Sequence, residues 1–91
     1  MTHLAPVDEE ELRLNPWTER LVNDFCSALK DKLLAAQIKY HYDDGWRDSN
    51  WQQECLKKFR SHIEKGDPRD VAAYCAFMWF HGWTTNGKPR D

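Results

Sequence analysis

The stretch Lys65–Trp83, KGDPRDVAAYCAFMWFHGW, decides how this chain folds. Ten consecutive residues within it, Val71 to Phe80, are apolar or aromatic. Asp67-Pro68 stands before them as a helix start. The Asp67 carboxylate can cap the first free N–H groups, and Pro68 suits the first helical position, where its missing N–H would be unpaired anyway. Gly82 follows as a stop, able to take the left-handed conformation that closes a helix. The spacing therefore predicts a helix over about 68–81. A helix apolar on every face must be surrounded, by its own chain or by another subunit.

Immediately upstream, Gly66 ends a preceding helix over about 50–65, which Ser49 opens with Gln52 placed three residues on as in a capping box. Trp51, Cys55, Leu56, Phe59 and Ile63 make its apolar face, with Lys57, Lys58, Arg60 and Glu64 opposite. The corner between these two helices is so short that they must pack as neighbours. Farther back, Asn15-Pro16 starts a long amphipathic helix over about 16–39. Its stripe is Leu21, Phe25, Leu29, Leu33 and Ala36, widened by Val22, Cys26 and Ala28, while Arg20, Asp24, Asp31, Lys32 and Lys39 fall mostly off it. Between the first two helices YHYDDGWRDS (residues 40–49) breaks the pattern as an aromatic, acidic loop. Its aromatics either pin it to the core or make it the rim of a binding site. The expected fold is all-α: three main helices in a small bundle over residues 16–83, a flexible acidic arm over 1–15 and a flexible polar tail over 84–91.

The totals exclude several function classes. Ninety-one residues make one small domain, and a formal charge of −2 supplies no field for nucleic acid or an anionic membrane. The apolar run is too short to cross a bilayer, which takes about 20 residues. MTHLAPVDEEEL turns acidic before any hydrophobic stretch, so no signal peptide is expected. Cys26, Cys55 and Cys75 are odd in number and lie within apolar patterns, as reduced core thiols of a cytoplasmic protein do. Asp8, Glu9, Glu10 and Glu11 read as a solvated charge run rather than a metal site. The loop aspartates miss calcium-loop spacing, and no C-x-x-C or H-x₃₋₅-H suggests zinc. There is no Gly-rich phosphate loop and no nucleophile elbow. Beyond Arg69 the last helix offers no Arg, Lys, Asn or Gln to base edges, so no helix-turn-helix DNA reader is expected.

From Leu21 to Thr84 the order of features resembles a family of small proteins of temperate phages and prophages of proteobacteria. The likeness is carried by a long amphipathic helix, then KYHYDDGW, then NWQQECLKKFRSHIEKGDPRDVAAYCAFMWFHGW. It implies a phage or prophage origin and a place in the bacterial host cytoplasm, and it brings no activity with it. IEKGDPRDVA is also similar to the connection between the metal-holding helices of MazG-like nucleotide pyrophosphohydrolases, which are all-α. That family holds magnesium with E-x-x-E and E-x-x-D. Here Glu54 is followed by Cys55, Leu56 and Lys57, and the second motif is replaced by Ala72, Ala73, Tyr74 and Cys75. Magnesium needs hard oxygen ligands, so a shared scaffold implies chemistry lost or moved.

No catalytic residue, metal ligand or cofactor is assigned; magnesium enters only with the nucleotide alternative. The expected interaction surface is Phe77, Trp79, Phe80 and Trp83, with Tyr42 and Trp46 from the loop. Neighbouring helical residues point about 100° apart, so these aromatics cannot all enter one core. They are covered either by a second copy in a homodimer, by a host or phage partner, or by Trp17 and Trp46 of the same chain. His41, Asp43, Asp44, His62, Asp67 and Asp70 form the candidate polar site. For His62, Asp67 and Asp70, capping and helix-dipole roles are the competing explanation. The expectation is a non-enzymatic accessory protein that binds another protein, with a MazG-like nucleotide-binding or pyrophosphohydrolase-derived protein as the alternative.

Overall fold

A computed structural model describes residues 12–90. It is all-α: α1 (Pro16–Tyr40), a 3₁₀ turn (Gly45–Arg47), α2 (Gln52–Lys65) and α3 (Pro68–His81), with no strand among the described residues. The acidic run Asp8–Glu11 expected in the arm lies outside them.

The helix limits follow from the punctuation in the sequence. Asn15 Oδ1 accepts a hydrogen bond from the Trp17 N–H at 2.9 Å, with Pro16 in the first turn. Asp67 Oδ1 does the same for the Arg69 N–H at 2.9 Å, ahead of Pro68. Gly66 at φ 94° and Gly82 at φ 73° occupy the left-handed region that closes α2 and α3, where a Cβ would be strained. α1 runs one residue past Lys39 to Tyr40 and closes on His41, which takes the left-handed conformation without being glycine (φ 59°).

The start of α2 departs from expectation. The helix begins at Gln52 rather than residue 50, and the Ser49–Gln52 capping box does not form. Trp51 stands at the cap position without a side-chain cap bond. The core fixes it instead: its ring packs 5.8 Å from both Phe77 and Trp83, and its indole N–H donates to the Trp46 carbonyl at 3.2 Å.

α3 is the hub. It packs on α2, on α1 and on the 3₁₀ turn, whereas α1 and α2 do not meet. Between α2 and α3 lies the core: Cys55, Phe59 and Met78, flanked by half-buried Trp51, Leu56, Val71, Tyr74, Phe77 and Trp83. With Ala73, these three are the only buried hydrophobic residues among those described. α1 contributes none. Its half-buried positions are Thr18 and then Ala28, Leu29, Lys32 and Ala36 in the C-terminal half. At 1.5 Å per residue α1 is about 37 Å long and α3 about 21 Å, so the earlier part of α1 extends past the helix that should cover it. The bundle is open along this stretch.

The cysteines also need correction. Only Cys55 is a core thiol; Cys26 and Cys75 are exposed, one on the uncovered part of α1 and the other on α3 at the edge of the seam with α2. All three are free. Burial, with a contribution from nearby Cys75, pushes the Cys55 thiol up to about 11. Because the thiolate is the reacting form, and burial raises the Cys75 thiol too, a chromogenic disulfide reagent at about pH 8 is expected to titrate Cys26 first, Cys75 more slowly, and Cys55 only in denaturant. Three fast-reacting thiols would mean that α2 and α3 do not close over Cys55.

Candidate functional site

Two clusters grow out of this frame, one aromatic and one charged. The aromatic cluster lies at the C-terminal end of α3. Gly45 and Trp46 turn the connecting segment back toward the helix, and the Trp46 ring stacks on Phe77 at 5.8 Å and meets Phe80 edge-on at 5.0 Å. The Trp46 carbonyl accepts from the Trp51 indole and from His81 Nε2, the latter at 2.6 Å. A carbonyl only accepts, so His81 carries its proton on Nε2 in this arrangement. The His81 ring stacks on Trp83 at 4.1 Å. Tyr74 completes the series edge-on to Phe77 at 5.6 Å.

These contacts sort the aromatic candidates. Phe77 and Trp83 are half-buried and belong to the core margin. Phe80 remains 51% exposed and Trp79 77% exposed, on the side of α3 that carries Cys75 and Ala76. Trp46 covers part of the cluster, but Trp17 is 76% exposed and covers none of it. Tyr42 stacks on Tyr40 at 5.6 Å, and both rings are exposed. The loop is thus pinned to α3 by Trp46 while Tyr40 and Tyr42 stand outside.

The charged cluster sits at the α2–α3 corner. Asp67 caps α3 and pairs with the Arg69 guanidinium at 2.9 Å. Lys32 reaches over from α1 to 3.6 Å from Asp67 and 3.5 Å from Asp70. His62 approaches Asp70 at 3.7 Å from α2, too far for a hydrogen bond, and its buried Nδ1 has no other partner. Its ring stacks on Tyr74 at 5.1 Å. Hydrogen bonds from the Arg69 guanidinium and N–H, with the positive charges of Arg69 and Lys32 nearby, hold the Asp67 carboxyl well below the usual carboxylate range.

Of the candidate polar residues, His62, Asp67 and Asp70 come together here. His41, Asp43 and Asp44 do not: His41 closes α1, and Asp44 pairs with Arg47 at 3.2 Å in the loop. Lys32 and Arg69 complete the cluster and were not among the candidates. Lys32, expected mostly off the α1 stripe, lies instead on its half-buried side between Ala28 and Ala36, four residues from each. Each carboxylate already faces cations, so the arrangement works as a clasp from α1 to the corner rather than an open acid–base pair. The open grooves lie elsewhere, one along Gln53, Leu56, Lys57 and Arg60 beside Asn86 and Gly87, another at Arg13, Leu14, Pro16 and Glu19. No three His, Cys, Asp or Glu residues come together as a metal site among those described, and no helix there is long and apolar enough to cross a membrane.

The clasp gives an acid dependence whose sign is fixed. The folded Asp67 carboxyl titrates below its unfolded value of about 3.9. Its contribution to stability is therefore complete above about pH 4 and is lost as pH falls toward the depressed folded value. Asp67→Asn keeps a capping oxygen but no charge. The variant is expected to melt lower at neutral pH and to lose less than the wild type between about pH 4 and pH 2. Parallel acid limbs in thermal melts of the two proteins would rule out Asp67 as the group responsible.

Compared with family models, with curated proteins and with solved structures, the chain matches none of them.

Proposed function

We propose that this chain is a small non-enzymatic binding protein that acts on another protein through the outer aromatic face of α3. The observation that carries this reading is the pair Trp79 and Phe80, left 77% and 51% exposed on α3, with Phe80 held edge-on against Trp46. An indole and a phenyl ring on a rigid helix give a large contact area with little side-chain entropy to lose, which is what interface anchors need. Trp46, packed on Phe77 and Phe80, extends the surface, and the reading adds Trp83 and the exposed Tyr42 to it. The resemblance to phage and prophage proteins adds the setting: an accessory protein in a bacterial host cytoplasm, regulatory or counter-defensive, self-associating as a homodimer and binding a host or phage factor. Asp67 and Asp70 face Lys32, Arg69 and His62 instead of a pocket, which weighs against the nucleotide pyrophosphohydrolase alternative and its magnesium.

The test couples capture to the surface. Immobilised wild type is expected to retain a defined bacterial or phage protein that the Trp79→Glu/Phe80→Glu variant, with unchanged helical circular dichroism, does not retain. Capture that ignores the double substitution, or magnesium-dependent release of pyrophosphate from nucleoside triphosphates, would overturn the reading.

A further inference from the structure

We infer that the projecting half of α1 is the homodimer interface, its apolar stripe docking antiparallel on the same stripe of a second copy. The inference rests on the binding-protein reading and specifies which face self-associates, leaving the α3 face free for a different partner. Trp17, Leu21, Val22 and Phe25 fall on one side of α1 at three-to-four-residue spacing, the same side that farther along presents Ala28, Lys32 and Ala36 to α3. One continuous stripe is therefore covered by α3 over its second half and uncovered over its first. Trp17 is 76% and Leu21 66% exposed, and Leu14, Val22 and Phe25 are also exposed.

α3 cannot supply the missing cover, because about 21 Å of helix spans only part of a helix of about 37 Å. A second stripe of the same kind fits. The five exposed side chains present about 500 Å² per copy, counting about 150–250 Å² for a whole aromatic. Two copies then bury about 1,000 Å², the size at which a specific interface begins. Symmetry accounts for the flank as well. Arg20 and Asp24, now paired within the helix at 3.6 Å, lie together on one side of the stripe. With a two-fold axis beside Val22, each Arg20 faces the other copy's Asp24. The monomer's small core adds a reason for association, since small domains commonly complete themselves by oligomerisation.

Sedimentation of the wild type at tens of micromolar is expected to give twice the 10.8 kDa chain mass. Leu21→Glu/Phe25→Glu should weaken the dimer at least 100-fold, whereas Trp79→Glu should leave it intact. Should the charged variant fail to fold, a cross-link decides. Val22→Cys, with Cys26→Ser and Cys75→Ser, should form an intermolecular disulfide readily on mild oxidation, while Lys57→Cys in that background should not. A dimer that survives the α1 charges but is lost with Trp79→Glu/Phe80→Glu would overturn this inference and leave the binding-protein reading standing. A wild-type monomer without the Val22→Cys cross-link would overturn it too.

Discussion

Phe59→Ala is expected to lower the free energy of unfolding by about 3–5 kcal/mol, close to the whole stability of so small a domain. Phe59 is one of only four buried hydrophobic residues among those described, and it shares one cluster with Cys55 and Met78. Removing its ring deletes the apolar transfer term and leaves a cavity that Cys55, fully buried, is too small to fill. Among the described residues no second buried cluster carries the loss, because α1 has no buried residue and does not meet α2. Denaturant unfolding followed by circular dichroism measures the effect. Ile63→Ala, four residues on along α2 but half exposed, is the control and should cost less than about 1.5 kcal/mol. Equal losses for the two variants would place the core somewhere other than the α2–α3 seam.

The helices of this protein were legible because their ends are chemically explicit. Asn15-Pro16 and Asp67-Pro68 name two starts, and Gly66 and Gly82 name two stops, each through backbone constraints that act within a few residues. α2 escaped this logic at its start, where Ser49 offered a local cap but the Trp51 ring found a larger contact area with Phe77 and Trp83. Tertiary packing outweighed the cap. The exposure of α1 was not legible either. Its stripe has the pattern of a core-facing helix throughout, and periodicity says which side is apolar, not what lies against it. The same limit applied to Cys26 and Cys75, whose apolar neighbours sit on surfaces that the chain leaves uncovered. In the charged cluster, Asp67 and Asp70 could be located from helix-start chemistry alone. Lys32 joins them across more than thirty residues of sequence, a pairing that only the docking of α1 on α3 creates.

Trp46→Ala is expected to cost about 2–4 kcal/mol, less than full truncation of a buried tryptophan because the ring is only half-buried. Its effect should nevertheless exceed that of any other loop position. The ring stacks on Phe77 and meets Phe80, and those contacts hold the Trp46 carbonyl where both the Trp51 indole and His81 Nε2 donate to it. Alanine keeps the carbonyl and loses the anchor that positions it. Two half-buried donors are then returned to water or left poorly paired, an additional penalty of about 1 kcal/mol each at most for neutral groups. Trp46→Phe retains a ring and should recover a substantial part of the loss. The experiment also separates the two roles open to the segment between α1 and α2. As a pinned strap, it gives a stability loss, with altered tryptophan fluorescence from Trp51 and Trp83 as their environment loosens. As the rim of a binding surface alone, it gives unchanged denaturation and a loss confined to partner capture. Unchanged unfolding in Trp46→Ala would therefore refute the strap. The 3₁₀ turn would then hold its place through Asp44 and Arg47, which pair on the surface at 3.2 Å and contribute little there.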